Sequence, residues 1–497
     1  MLSLIKKDKW FFAFLVSYIV ISCVGMALTP LFDEDEGFFA EASRNMLANN
    51  DFVVVSVNGE IRYDKPALFF WFTAISLKIF GINEFAARLP SFLFFLIYTY
   101  LIFGFAKKYF STSSAKISVI IAVSILQFQV LSRAAVSDNL LNLCVALALF
   151  SVFDFFQNPN FKSLFWLYTA SGLGFLTKGP IAILMIGGVI FFYILFQKKW
   201  SIIKKLFNPV LIVWSILIPF PWFYLAYLRS GDFLFYNFII KHNVGRFSQT
   251  MESHGGHLWY YFPVLILSFL PFIHLIFSVI KKLHINHKVQ FLIIWFLLPF
   301  VLFSFSKTQL PHYISIGYFP FIILISQAPQ LKEKYIFVQI SLLIIAFLVA
   351  PLLIGKIVIN DEFVTEMLKN AASLYDKFYL LQIFILLLFS IIVWLYSKQK
   401  LIVLILIFIV ATNIFIYKFA VLQQGFVKQV GRGLYHSKSE IFMADHYNPT
   451  LSFYAQKVFA IKNNPQKGDL IFRKVATKKM VLGTLILKGN GYVLLKE

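Results

Sequence analysis

Apolar runs long enough to cross a bilayer recur along this chain from residue 10 to residue 420, and they constrain its folding more than any other feature. A spanning helix takes about 20 apolar residues, because every backbone group must find its partner within the segment. Thirteen stretches qualify: 10–29, 85–106, 115–131, 138–156, 162–177, 180–197, 207–228, 259–280, 289–305, 313–328, 335–355, 377–397 and 400–420. The chain is 59% hydrophobic, 14% charged and has a mean hydropathy of +0.77, against about 25% charged residues in soluble domains. The expected fold class is therefore an all-α polytopic membrane protein.

Lysine clusters test that threading. With "KKDK" at the N-terminus inside, the loops "KKYFSTSSAK" (107–116), "QNPNFK" (157–162), "KKWSIIKK" (198–205), "KKLHINHK" (281–288), "QLKEK" (330–334) and "KQK" (398–400) all fall on the same side. That is the positive-inside pattern. It accounts for the net charge of +22 without nucleic acid as a partner, and the odd number of spans puts the C-terminal segment outside. Cys23 and Cys144 both lie in apolar stretches, so neither a disulfide framework nor a thiol metal cluster is expected. "VISC" resembles a lipoprotein cleavage box, but the run from Trp10 to Pro30 continues past Cys23 as an uncleaved span.

The expected organisation is a transmembrane domain over 1–420, with a first outer loop at 30–84, and an extracytoplasmic domain over 421–497. In that second part, short alternating segments broken by Gly, Asn and Pro suggest a small α/β or β fold. The segment 66–80 is too short to cross comfortably and reads as an interfacial helix anchored by Trp71 and Lys78.

The chemically interesting sequence gathers on the outer side. "LFDEDEGFFAEASRNML" (31–47) places Phe38, Phe39, Ala42, Met46 and Leu47 at helical spacing, opened by four carboxylates. Asp33 and Glu34 read as capping, solvated groups, whereas Asp35 and Glu36 start the helix proper and can face a pocket. "RYDKP" (62–66) offers Lys65 as a phosphate ligand at headgroup level, and Asp64 as a metal ligand or positioning group. "KHNVGRF" and "HGGH" add His242, Arg246 and His254, and an arginine can grip phosphate with two parallel bonds. "TKGP" adds Lys178, and "SKTQLPHY" adds Lys307, His312 and Tyr313. Together these make a cationic ring beside carboxylates, suited to an anionic lipid headgroup and a reacting hydroxyl or amine. Histidines facing carboxylates also suit a divalent cation, although their spacing matches no standard zinc motif.

Six segments in this order, "DEDEGFFAEASRNML", "NGEIRYDKPALFFW", "FGINEFAARLPS", "GLGFLTKGP", "KHNVGRF" and "SKTQLPHY", resemble the GT-C superfamily of membrane glycosyltransferases. The closer likeness is to the branch holding protein O-mannosyltransferases and lipid A aminoarabinose transferases. The resemblance implies an inverting transfer from a polyprenyl-phosphate sugar donor to a lipid (lipid A-like) or protein acceptor on the outer face of the membrane, and the uncleaved first span with the inside bias points to a bacterial inner membrane. It implies Asp35 as general base beside Glu36, and Lys65 and Arg246 on the donor phosphate; Lys178 and Lys307, from the cationic ring read above, are expected to add to that phosphate site. It implies a divalent metal held by Asp64 with His242 or His254. Where the family has a basic residue just after its acidic pair, this chain has Gly37 and Phe38. A lipid-linked-sugar flippase or transporter is the alternative. It would need ionisable groups deep in the spans, and 289–305 and 335–355 carry essentially none.

Overall fold

The structure is a computed structural model that describes residues 8–245, 255–280, 284–328, 332–354, 361–437, 440–444, 447–462, 466–475 and 484–496. The described chain is mainly helical. Among the described residues eight helices are long and apolar enough to span, and two bent pairs, Pro209–Leu217 with Phe220–Ser230 and Tyr261–Ser268 with Ile273–Ile280, bring that to ten when each pair is counted as one span. The other three expected stretches are helical but fall short of that test: 115–131 breaks between Thr112–Ser124 and Leu126–Leu131, 162–177 is Phe161–Lys178, and 313–328 is Pro311–Ser326.

Helix boundaries follow local chemistry. Helix α1 (Asp8–Leu28) spans first, and α2 (Asp35–Asn49) is the amphipathic helix of the first loop. It ends at Asn50 in the left-handed conformation, a residue that tolerates it. Helix α3 (Leu68–Phe80) is the interfacial helix, starting just after Pro66. Helix α4 (Glu84–Tyr109) is capped by Asn83, whose side chain accepts from the Ala86 N–H. Helices α5 (Asp138–Gln157) and α6 (Phe161–Lys178) follow, with Asn160 capping the second.

Inside the bundle, aromatic rings interlock; Trp295 stacks on Phe319 at 4.7 Å between centroids. Outside, Lys377–Tyr396 leaves Leu381, Ile385, Leu388, Ile392 and Leu395 exposed, a stripe at helical spacing that suits acyl chains.

Helix α7 (Lys400–Tyr435) runs unbroken through residue 420, where the composition placed a domain boundary. The C-terminal part therefore hangs on a span that projects beyond the bilayer. It comprises β1 (Ile441–Met443), α8 (Pro449–Ala455), β2 (Leu470–Lys474), β3 (Thr484–Gly489) and β4 (Tyr492–Lys496), with the strands in the order β1–β2–β4–β3. The β1–β2 pair is parallel and the other two are antiparallel. Close approach of α8 to α7 depends on Gly431, where a Cβ would lie 2.6 Å from Tyr454 Cβ.

Candidate active site

The first loop is held by a buried ion pair. Arg88, one turn into α4, donates from Nε to Glu36 Oε1 at 2.8 Å and from Nη2 to Oε2 at 2.6 Å. Its Nη1 donates to the carbonyls of Met26 and Thr29, and Nη2 donates also to that of Pro30. Glu36 also accepts from the backbone N–H groups of Phe32 and Ala135, at 2.9 and 2.7 Å. With each oxygen accepting two bonds, Glu36 has no face left for a reactant. It was expected beside Asp35 as a catalytic carboxylate and serves instead as the clamp joining α1, α2, α4 and the start of α5. Asp35, the residue before it, is exposed.

Asp33 also departs from expectation. It is no solvated cap: its Oδ1 accepts from the Thr450 hydroxyl at 2.9 Å, and the N-terminus of α2 has no side-chain cap. Burial pushes the Asp33 carboxyl up to about 7, against the lowering effect of that hydrogen bond. One residue before α8 ends, the Tyr454 hydroxyl accepts from the Leu31 N–H at 2.9 Å.

A carboxylate overlooked in the sequence forms the centre of the charged groups. Asp138 opens α5 and is buried, with Lys178 Nζ at 2.7 Å and His312 Nε2 at 3.8 Å from its Oδ1. The Lys178 ammonium also stands 5.7 Å from the Tyr313 ring centroid. Lys65 acts electrostatically on both Asp138 and His312, and Asp35 acts on His312, so all five lie in one charged neighbourhood. Nothing in the spacing of "SRAAVSDN" (132–139), an outer-face loop by the threading, marks Asp138; only the fold brings it to Lys178, 40 residues on, and to His312.

Beside this cluster, His242 Nε2 lies 3.0 Å from Asp64 Oδ1. Burial alone would raise the Asp64 carboxyl, but the His242 hydrogen bond and charge, with Lys65 and Arg62 nearby, take it down to about 2. His242 Nδ1 is buried and finds no partner among the described residues. A separation of 3.0 Å is close to that of neighbouring ligands on one small divalent ion. No group of three such ligands occurs among the described residues, so the pair fits a cation only if other oxygens complete the shell. Tyr63 fixes this loop, with its hydroxyl 2.8 Å from Ser230 Oγ and its ring against Trp222.

Two expected site residues, Arg246 and His254, lie outside the described residues. Lys307 is exposed in the turn before His312.

This arrangement has relatives. The family model of dolichyl-phosphate-mannose-protein mannosyltransferases matches residues 64–225. An undecaprenyl phosphate-alpha-4-amino-4-deoxy-L-arabinose arabinosyl transferase of Wigglesworthia glossinidia brevipalpis is 31% identical over 409 residues, which are 79% of this chain and 71% of the relative. The chain belongs to that transferase family. It is a GT-C membrane glycosyltransferase of the aminoarabinose-transferase-like branch, and this membership sets aside the flippase reading. A protein of Aquifex aeolicus (strain VF5) with no assigned activity is 30% identical over 75% of this chain and 86% of its own length. Against the transferase of Aeromonas hydrophila the likeness covers only 53% of the relative. The fold agrees with the crystal structure of ArnT from Cupriavidus metallidurans bound to undecaprenyl phosphate, with a TM-score of 0.82, 18% identity and 98% of each chain covered.

Proposed function

We propose that this glycosyltransferase moves a sugar, of the 4-amino-4-deoxy-L-arabinose kind named for its relatives, from undecaprenyl phosphate to a lipid A-like or protein acceptor. The reaction takes place on the extracytoplasmic side of a bacterial inner membrane, with the N-terminus in the cytoplasm. The observation that carries this reading is the exposed Asp35 in the same charged neighbourhood as Lys65, Lys178 and His312.

The donor's phosphate sits against Lys65 and Lys178, with Arg246 and Lys307 as the further cations that the sequence motifs offer. Asp138 holds Lys178 and His312 in place, so that positive charge is fixed before substrate arrives. The acceptor oxygen attacks the anomeric carbon as the bond from that carbon to the phosphate oxygen breaks. The electron pair leaves on polyprenyl phosphate, stabilised by the lysines, and the acceptor's proton passes to Asp35. One displacement inverts the anomeric centre. A divalent cation, if bound, would be held by Asp64 with His242 or His254 and would supply further charge for the phosphate.

Asp35→Asn tests the assignment. Purified wild type should transfer labelled sugar from the polyprenyl donor, and the variant should fall by at least about 10²-fold in kcat with an unchanged thermal midpoint. Near-full turnover by the folded variant removes Asp35 as base. Mass spectrometry of lipid A and of surface proteins from a deletion strain identifies the acceptor.

A further inference from the structure

On the other side of the Arg88 clamp lies a second polar site that the transfer chemistry does not use. Glu84 opens α4 and is 2% exposed. Its Oε1 pairs with Lys428 and accepts from the Tyr454 hydroxyl at 3.2 Å, and Arg432 Nη2 lies 3.6 Å from Oε2. Lys428, Arg432 and His436 stand four residues apart along α7 and its C-cap, so they share one face. Two full cations thus meet a single carboxylate, and the His436 imidazole lines the same cavity. Lys428 satisfies Glu84 at close range; Arg432 touches it through one nitrogen only, and its side chain is 60% exposed.

A cavity of about 330 Å³ opens here, lined by Asn83, Glu84, Arg432, Tyr435, His436 and Tyr454 among others. That is enough for one compact polar headgroup. The Arg432 guanidinium stands 6.0 Å from the Tyr454 ring centroid, which steadies its planar fork at the wall. Ile82, Phe453 and Tyr435 supply apolar surface to its wall, and Tyr435 is 46% exposed. Apolar wall in a cationic cavity, at the start of one span and beyond the end of another, matches a molecule with acyl chains below and negative charge above.

We propose that this cavity binds the phosphate group of a membrane-embedded amphiphile, gripped by Arg432 and His436. Arginine suits the task because two of its N–H groups can meet two phosphate oxygens in parallel. The occupant is either the phosphorylated lipid acceptor or an anionic phospholipid of the surrounding leaflet. Identification with the acceptor rests on the transfer reaction proposed above; phosphate binding itself does not. Tyr454 ties the cavity to the first loop through Leu31, and Arg88, on the same helix as Glu84, holds Glu36.

The full chain in detergent, examined by native mass spectrometry, tests the site with phosphatidic acid and phosphatidylcholine as probes. Wild type should retain phosphatidic acid preferentially, and Arg432→Ala with His436→Ala should weaken that retention about tenfold at an unchanged thermal midpoint. Arg432→Lys should recover only part of it. Equal retention by wild type and the double variant, or no preference for phosphatidic acid in wild type, overturns the proposal. Transfer kinetics then separate the two occupants. A rise in KM for a phosphorylated glycolipid acceptor, with kcat and donor KM unchanged, supports the acceptor as occupant. Lost phosphatidic acid binding with unchanged acceptor KM supports a bulk anionic lipid. If wild type transfers no sugar at all, the enzymatic reading fails while the binding result still stands.

Discussion

Within one turn of chain, three carboxylates meet three environments. Asp33 is enclosed against Thr450 with its pKa raised to about 7, whereas a carboxyl in the unfolded chain titrates near ~3.9. The folded state therefore favours the protonated form. The stability this contributes is present in full below the unfolded value, declines as pH rises, and is lost above about 7. Asp33→Asn keeps an acceptor for Thr450 and removes the titration. Its thermal midpoint should match wild type near the unfolded carboxyl's pKa and exceed it increasingly toward neutral pH; a constant difference across that range contradicts the assignment. Glu36 instead faces the guanidinium of Arg88 at 2.6 Å. Glu36→Gln leaves a buried guanidinium without its counter-charge, at an expected cost of about 3–5 kcal/mol. The exposed Asp35 should tolerate Asn within about 0.5 kcal/mol. Thermal unfolding in detergent compares the two, and equal stability losses would place both carboxylates in the same role.

Among the elements, the decisive contact is α8 on α2. Gly37 allows it: a Cβ there would lie 2.9 Å from the Thr450 nitrogen and strike the Thr450 hydroxyl. Backbone cannot swing aside as a flexible side-chain tip can. Gly37→Ala should therefore force α8 outward, lower stability by about 1–3 kcal/mol and expose the C-terminal part to protease. An unchanged midpoint and digestion pattern would mean that the interface yields easily. The same contact explains a departure from the family's sequence pattern. The stretch after the acidic pair, where a basic residue is expected, is occupied here by a glycine that accommodates a helix some 400 residues later.

For the molecule as a whole, the first loop is fastened from both ends of the chain. Arg88 grips it from the bundle, and Thr450 and Tyr454 grip it from the C-terminal part. A chain ending after His436 retains every helix expected to span, so it should still enter the membrane. It loses both C-terminal grips, and small displacements of catalytic groups can lower rates by about 10²-fold. Transfer should fall on that scale while membrane insertion persists; undiminished transfer would show that α8 is dispensable for placing Asp35.

What the sequence determined by itself was everything governed by local period and by charge at the ends of apolar runs. Helical spans, the interfacial segment after Pro66, the amphipathic helix at 35–49 and the polar clusters between spans all follow from residues a few positions apart. Recurrent motifs singled out Asp35, Asp64, Lys65, Lys178 and His242, and the fold pairs His242 with Asp64 and sets Lys178 and Lys65 near Asp138. Only the tertiary structure decided which neighbour each charge keeps. Arg88 is 52 residues from Glu36, and Thr450 is 417 from Asp33; at such separations no periodicity links the partners. A carboxylate in a low-dielectric surround becomes clamp, proton-holder or base according to the group packed against it, and that group is chosen by how helices meet.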